Sequence, residues 1–444
     1  MKFEDLSGKV IYKRREAVVI SIKNKNKRIT GSIMVPGDKS ISHRAVLLGS
    51  IAEGTTEIKG FLMSEDCLST VKCIQKLGIH VEILGPGRLK VLGKGLFGWQ
   101  EPREVLEAGN SGTTMRLLLG LLSGQDFHSI ITGDASLNNR PMGRVVHPLR
   151  MMGASIDGRE QGKKAPLAVR GGNLQGIHYR SPVASAQVKS ALLLAGLYAN
   201  GTTIVEEPVK SRDHSERMLR SFGAEIIEEG VKVSIKGLPR LSGQKIIVPG
   251  DISSAAFFMV LAAITPKSEL IVENLGINPS RTGIIDILKK MGAKISFENK
   301  RNEAGEPVAD VVIKYGTLHG VTVSGADIPR LIDEIPVLTV AAAHAVGQTV
   351  IKDAGELRVK ETDRIQGIVS QMAKLGMDIL PREDGMVING GRPLQGARVN
   401  SLHDHRIAMA LAVAARVAQG ETTIENAECV NISFPNFFPL LESL

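Results

Sequence analysis

The sequence predicts an α/β protein of two domains, built from six copies of one unit, three to a domain. First, a strongly apolar helical stretch with a small or polar start recurs six times, beginning near Ser40, Gly112, Gln187, Ser253, Pro336 and His405. Self-similarity at intervals of roughly 70 residues marks a repeat architecture. Second, each stretch leads through a turn into a short β-prone segment. Third, the lead-in Val35-Pro36-Gly37-Asp38, ahead of the first copy, reappears as Val248-Pro249-Gly250-Asp251 ahead of the fourth, so the chain divides near Val248.

The first helix of each unit is apolar around most of its cylinder, as in Ala191 to Ala195 and Leu338 to Ala343, and a helix of that kind is buried on all sides. The strand that follows reads as Gly54 to Ile58, Gly201 to Val205, Gly347 to Ile351 and Gly420 to Ile424, with looser versions near Ile130 and Ile271. A second, amphipathic helix then ends at a glycine suited to a left-handed cap: Gly78, Gly153, Gly223, Gly292 and Gly376. Only the sixth copy stops early, in Pro435 to Leu444. The first 34 residues precede the first unit and include a strand-like run from Ala17 to Ile22. They are expected to complete the second half, giving one domain over 35–247 and a discontinuous one over 1–34 and 248–444.

Composition narrows the function. Of the 444 residues 43% are hydrophobic, enough for two cores. No apolar run reaches the length of a membrane span, and Met1-Lys2-Phe3-Glu4-Asp5 lacks the order of a secretory signal, so a cytoplasmic protein is expected. Cys67, Cys73 and Cys429 have neither disulfide nor metal-ligand spacing. The net charge of +9 favours anionic partners, but aromatics are only 4% of residues, with one tryptophan, Trp99. Nucleic-acid surfaces need stacking side chains, so small anions fit better. The basic run from Lys23 to Arg28 lies outside every motif and reads as a solvated strand edge or loop.

A buried helix presents unpaired N–H groups and the positive end of its dipole at its first turn, a ready site for an anion. In this chain those turns also carry Lys39, Ser40 and Arg44, the stretch Asn110 to Arg116, Ser185, Gln187 and Lys189, and Arg406, and convergence on one cleft explains the coincidence. If the first helix starts near Ser40, then Ser40 and Arg44 share a face, with Lys39 at its mouth. In Arg358-Val359-Lys360-Glu361-Thr362-Asp363-Arg364, helical spacing would set Lys360 against Arg364, a repulsion that an anion would reverse. Glu361 could orient Arg364 or carry a proton. Asp333, ahead of Pro336, is either a helix cap or a base.

As an ordered set, Asp38-Lys39-Ser40 with Arg44, Asn110-Ser111-Gly112-Thr113, Arg140-Pro141, Arg358 to Arg364 and Asp404-His405-Arg406 resembles the enolpyruvyl transferase superfamily, in its shikimate-phosphate branch. Ser185-Ala186-Gln187-Val188-Lys189, Arg212-Asp213-His214-Ser215-Glu216 and Asn278-Pro279-Ser280-Arg281 resemble the second subclass of that branch. The resemblance runs from Val35 to about Phe438. It implies an inside-out, barrel-like fold of six βαβαββ units with helices inside and sheets outside. It also implies transfer of the enolpyruvyl group of phosphoenolpyruvate to the 5-hydroxyl of shikimate 3-phosphate by addition and elimination. No metal or other cofactor, no nucleic acid and no membrane would take part, a monomer would suffice, and glyphosate would be the inhibitor. Carried over residue by residue, Lys39, Ser40, Arg44, Ser185, Ala186, Gln187, Arg212, Asp333 and Lys360 would hold shikimate 3-phosphate. Lys39, Asn110, Gly112, Arg140, Gln187, Arg364 and Arg406 would hold phosphoenolpyruvate, and Lys39, Asp333 and Glu361 would move protons. One position departs from the pattern: Ile432 stands before Ser433-Phe434-Pro435 where many relatives carry Lys, and Arg406 or a basic residue particular to the subclass would compensate. The UDP-N-acetylglucosamine enolpyruvyl transferases carry a reactive cysteine between the segments matching Asn110 and Arg140, and this chain has none there.

Overall fold

The computed structural model describes residues 2–4, 10–12, 18–25 and 27–444. Met1, Asp5, Ala17 and Asn26, which the sequence reading invoked, lie outside the described residues. Six apolar helices, Lys39–Ile51, Gly112–Leu122, Ala186–Gly196, Ile252–Ile264, Ile335–Ala343 and His405–Val417, begin within one residue of the expected starts. Every residue of Ile252–Ile264 and of Ile335–Ala343 is buried, because neither helix has a polar stripe to turn toward water.

Among the described residues, five four-stranded sheets and one of three strands stand around these helices, besides a two-stranded pair formed by Lys2–Glu4 and Val10–Tyr12. The third unit shows the pattern. His178–Arg180 runs parallel to Thr202–Glu206 across the helix Ala186–Gly196, the amphipathic helix His214–Phe222 follows, and Ile226–Glu229 and Lys232–Lys236 close the sheet antiparallel. This is a βαβαββ unit with its sheet outside and its first helix inside. The five amphipathic helices end at the expected glycines, and Gly223 and Gly292 show why: their φ values of 105° and 114° are left-handed, where a side chain would be strained.

Two apolar cores result, one formed by residues between Ile41 and Val248, the other by residues from Ile22 to Val35 and from Ile252 onward. At the two lead-ins the chain crosses from one core to the other. Val35 packs in the second core and Val248 in the first, while Gly37 and Gly250 bridge antiparallel between them. Each crossing follows a strand that closes a sheet on the side the chain is leaving. Lys245–Ile247 pairs parallel with Glu53–Lys59 in the first unit, and Thr30–Met34 pairs parallel with Glu269–Gly276 in the fourth. The short sixth unit is completed by Ile20–Lys23, antiparallel to Glu421–Glu425. None of the helices is long and apolar enough to cross a membrane, among the described residues.

Candidate active site

Because the apolar helices point the same way within each core, their first turns meet. Lys39 and Ser40, Thr113 and Arg116, Ser185 to Gln187, Ser253, and His405 and Arg406 line one cavity of about 380 Å³, joined by Asp333 two residues ahead of Ile335. The cavity lies between the two cores, and ion pairs cross it: Arg140 to Glu361 at 3.4 Å, Arg144 to Glu356 at 3.0 Å and Arg212 to Asp333 at 2.8 Å.

The expectation of a bare positive end at every helix is corrected. Asp38, Asp251 and Asp404 accept from N–H groups of their own helices, at 2.9 Å from Ile41, 2.8 Å from Ser253 and 2.9 Å from Arg406, so a carboxylate already answers each dipole. Arg281 joins Asp38 at 3.0 Å and Asp251 at 3.2 Å, tying the starts of the first and fourth helices together. Only neutral hydroxyls cap the second and third helices, Ser111 accepting from Thr114 at 3.1 Å and Ser185 from Val188 at 3.4 Å. Uncompensated positive charge therefore gathers on the wall of the first domain.

That wall holds five guanidinium groups, those of Arg44, Arg116, Arg140, Arg144 and Arg212. Burial, with Arg144 and Arg140 beside it, draws the Arg116 pKa down to about 9. Gln187 accepts from Arg116 and donates to Thr113 at 3.1 Å. Burial likewise takes Arg44 down to about 10, and its guanidinium donates to Ser215 and Ser190, each at 2.7 Å, and to the Ser40 carbonyl at 3.0 Å.

The three candidate proton carriers have distinct settings. Burial pulls the Lys39 ammonium down, but its close ion pair with Asp66 outweighs this, so its pKa is raised and it stays a cation. Burial pushes the Asp333 carboxyl up, yet Arg406, Arg212, Lys360 and Arg364 hold it well below the usual range. Glu361 is also held well below its range against burial, by Arg364 and Arg140. Burial, with Arg364 beside it, lowers Lys360. The open question about Asp333 is thereby answered: it does not cap the fifth helix, whose cap position is Glu334, and it faces the cavity.

Asn110, Gly112 and Arg364 sit behind the wall rather than on it. Asn110 accepts from Arg140 at 3.1 Å and donates to Asp134 at 2.7 Å, fixing Arg140 from outside. A Cβ on Gly112 would meet Arg116 Nη1 at 3.0 Å and Arg140 Nη1 at 3.3 Å. Arg364, 1% exposed, is gripped by Asp404 at 2.7 Å, Glu361 at 2.5 Å and Asp333 at 3.3 Å. The helical spacing expected of Lys360 and Arg364 is also corrected. A 3₁₀ turn, Gly355–Val359, ends before Lys360, and Asp363 caps a new helix at Arg364, so the two cations approach through the loop instead. Lys189 leaves the candidate cluster, since it is buried between Glu207 at 2.9 Å and Glu216 at 2.7 Å.

Sequence reasoning assigned no role to Arg144, Glu356, His214, Arg281 or His405, which line the cavity. His214, Arg281 and His405 lay inside quoted motifs, and Arg144 follows Arg140 by four residues. The cysteines are all buried; burial raises Cys73 and Cys429 to about 12 and pushes Cys67 up as well, so none is a ready nucleophile. Ile432 is outside the cavity lining.

A family model described as EPSP synthase (3-phosphoshikimate 1-carboxyvinyltransferase) matches residues 23–441. The chain is 55% identical over 415 residues to the 3-phosphoshikimate 1-carboxyvinyltransferase of Brevibacillus brevis, covering 94% of this chain and 97% of that one. It is 56% identical over 419 residues to the enzyme of the same name from Synechococcus sp., covering 94% of each. Among solved structures, EPSP synthase from Acinetobacter baumannii superimposes with a TM-score of 0.86 at 49% identity, covering 96% of this chain and 98% of that one.

Proposed function

Because this chain belongs to the EPSP synthase (3-phosphoshikimate 1-carboxyvinyltransferase) family, we propose a division of labour among the cavity residues for the family's reaction. That reaction moves the enolpyruvyl group of phosphoenolpyruvate to the 5-hydroxyl of shikimate 3-phosphate and releases phosphate, in the shikimate pathway to aromatic amino acids. In the addition, the hydroxyl oxygen bonds to C2 of phosphoenolpyruvate, C3 gains a proton, and the hydroxyl proton passes to a base. In the elimination, the bond from C2 to the phosphate oxygen breaks, phosphate leaves, and C3 gives a proton back.

Asp333, ionised among cations, takes the hydroxyl proton. Its basicity is low while Arg212 is paired with it, but a phosphate drawing Arg212 away removes one of the cations that hold the carboxyl down. Substrate binding thus switches the base on. Lys39, kept protonated, delivers the proton to C3, and ionised Glu361 withdraws it in the elimination. Ser40, Arg44, Ser185, Ala186, Gln187, Arg212 and Lys360 hold shikimate 3-phosphate. Arg140, Gln187 and Arg406 hold phosphoenolpyruvate with Lys39, while Asn110, Gly112 and Arg364 shape that subsite from behind. Guanidinium forks suit both carboxylate and phosphate, and in a cleft closed to water they also stabilise the leaving phosphate.

The domain division is part of the reading: 35–247 carries most of the shikimate 3-phosphate site, 1–34 with 248–444 completes the phosphoenolpyruvate site, and the lead-ins Val35–Asp38 and Val248–Asp251 form the hinge. Separate cores support it, and so do the strands just ahead of each crossing, which pair only within their own half. One chain supplies every wall of the cavity, which favours action as a monomer, and three free buried thiols suit the cytoplasm.

The observation that carries the assignment is the meeting of Arg212 with Asp333, and of Arg140 with Glu361, across one cation-rich cavity. Phosphate release, followed with each substrate alone and with both, tests it. Release is expected only with both, and Arg212→Ala should raise the shikimate 3-phosphate KM by roughly tenfold or more, a charge-assisted contact, with a smaller change for phosphoenolpyruvate. No release by the wild type, or equal changes in both constants, defeats the assignment.

A further inference from the structure

Arg144 lies in the first turn of the helix Gly143–Met151, four residues beyond the extended Arg140, on the same wall as Arg116. Its Nη1 donates to both carboxylate oxygens of Glu356, at 3.1 and 3.0 Å, across the cleft. Glu356 stands on the 3₁₀ turn Gly355–Val359 of the other domain. The Nε–H of Arg144 is buried and finds no acceptor among the described residues, and the same holds for Nε of Arg116 and of Arg140. Three guanidinium groups thus meet two carboxylates, Glu356 and Glu361, both from the opposite domain, and keep three buried donors to spare.

A buried N–H without an acceptor is costly, and neighbouring cations add repulsion, so this wall is built to receive an anion. Arg144 and Glu356 are both partly exposed, and an ion pair of that kind contributes little by itself. It is too weak to close the cleft unaided. An anion held by Arg144 would fix the guanidinium in the orientation that Glu356 needs, so ligand binding and closure would reinforce each other.

We propose that Arg144 is a further binding residue of the phosphoenolpyruvate subsite, and that its pairing with Glu356 completes that subsite only when the two domains meet. This rests on the enolpyruvyl-transfer reading above. Arg144 pairs across the cleft as Arg140 and Arg212 do, and it is the most exposed of the three, its side chain 21% exposed against 10% and 16%.

The test is the KM of each substrate in the phosphate-release assay, for wild type, Arg144→Ala, Arg144→Lys and Glu356→Gln. Arg144→Ala should raise the phosphoenolpyruvate KM roughly tenfold or more and the shikimate 3-phosphate KM less than about threefold. Arg144→Lys, which keeps the charge but loses the fork, should recover part of the loss. Glu356→Gln should raise the phosphoenolpyruvate KM by a smaller factor, since it loosens the closure and leaves the anion contact in place. An unchanged phosphoenolpyruvate KM in Arg144→Ala, or equal rises for both substrates, overturns the proposal. Equal effects of Arg144→Ala and Glu356→Gln reduce Arg144 to a closure contact and overturn its binding role. Should Arg144→Ala fail to fold, the same split is read from Arg144→Lys. If the wild type releases no phosphate, the functional reading has failed separately, and calorimetric titration of phosphoenolpyruvate into wild type and Arg144→Lys then decides: unchanged affinity refutes the anion cradle, and weakened affinity upholds it.

Discussion

Gly112 shows how a residue outside the cavity can control it. A methyl group there would press on the guanidinium tips of Arg116 and Arg140 at 3.0 and 3.3 Å, and the tips would have to shift by a few tenths of an ångström to admit it. What moves is then the guanidinium surface of the proposed phosphoenolpyruvate subsite. Glyphosate is longer than phosphoenolpyruvate and needs more of that space, so Gly112→Ala should raise the glyphosate inhibition constant about tenfold, or about 1.4 kcal/mol. The phosphoenolpyruvate KM should rise less, and the shikimate 3-phosphate KM should stay put. Measuring the three constants in both proteins checks it, and a wild type already resistant at millimolar glyphosate would show that Gly112 is not the controlling residue. That Lys39, Arg140, Glu361 and Arg406 line the cavity could be anticipated from sequence because each stands in a quoted motif, Lys39 and Arg406 at helix starts. Arg144 could not be. On sequence alone it is one basic residue on an amphipathic helix, and what gives it meaning, Glu356, lies 212 positions away.

Among the elements, the six buried helices and the glycines that end their amphipathic neighbours were readable, because burial on all sides and left-handed caps leave local marks. The pairings that close the first and fourth sheets left fewer: that of Lys245 with Glu57 is set by the path of the chain, and that of Thr30 with Glu269 was foreshadowed only by the expectation that the first 34 residues join the second half. Local reading also failed between Lys360 and Arg364, where Asp363 breaks the expected helix by capping a new one. The last buried helix, His405–Val417, joins element to site through Asp404, which accepts from the N–H of Arg406 at 2.9 Å and binds Arg364 at 2.7 and 3.3 Å. Asp404→Ala removes both the cap and the partner of a buried cation, and it should destabilise the protein by about 3–5 kcal/mol in urea unfolding. Asp404→Asn keeps an acceptor for the helix and should cost less. Equal losses would mean that the cap contributes nothing and the ion pair everything.

For the molecule as a whole, carboxylates recur among the contacts between the two proposed domains, and this sets its response to acid. Asp38 with Arg281 and His214 with Glu306 cross between domains, as do Asp213 with Asn278, Arg144 with Glu356 and Arg212 with Asp333. Burial pushes the Asp213 carboxyl up, but hydrogen bonds from Arg217 and Asn278 bring it down to about 2 from an ordinary 3.8, and Asp38, Glu306, Glu356, Asp333 and Glu361 are lowered too. Each such carboxyl takes up a proton in the unfolded chain at a higher pH than in the folded one. Its stabilisation is therefore complete above the unfolded pKa and lost as pH falls toward the folded value, on the order of 2 kcal/mol for Asp213. The buried histidines act in the same direction. Burial holds His43 and His405 well below 6.5, so below that pH the unfolded chain alone gains their protons. The melting temperature should accordingly be level near pH 8, begin to fall below about 6.5, and fall more steeply below about 4.5 as the interdomain carboxylates titrate. Scanning calorimetry across that range checks the course. Asp213→Asn should flatten the steep part without moving the shallow one, whereas a melting temperature that holds or rises toward pH 4 would mean that these ion pairs do not hold the domains together.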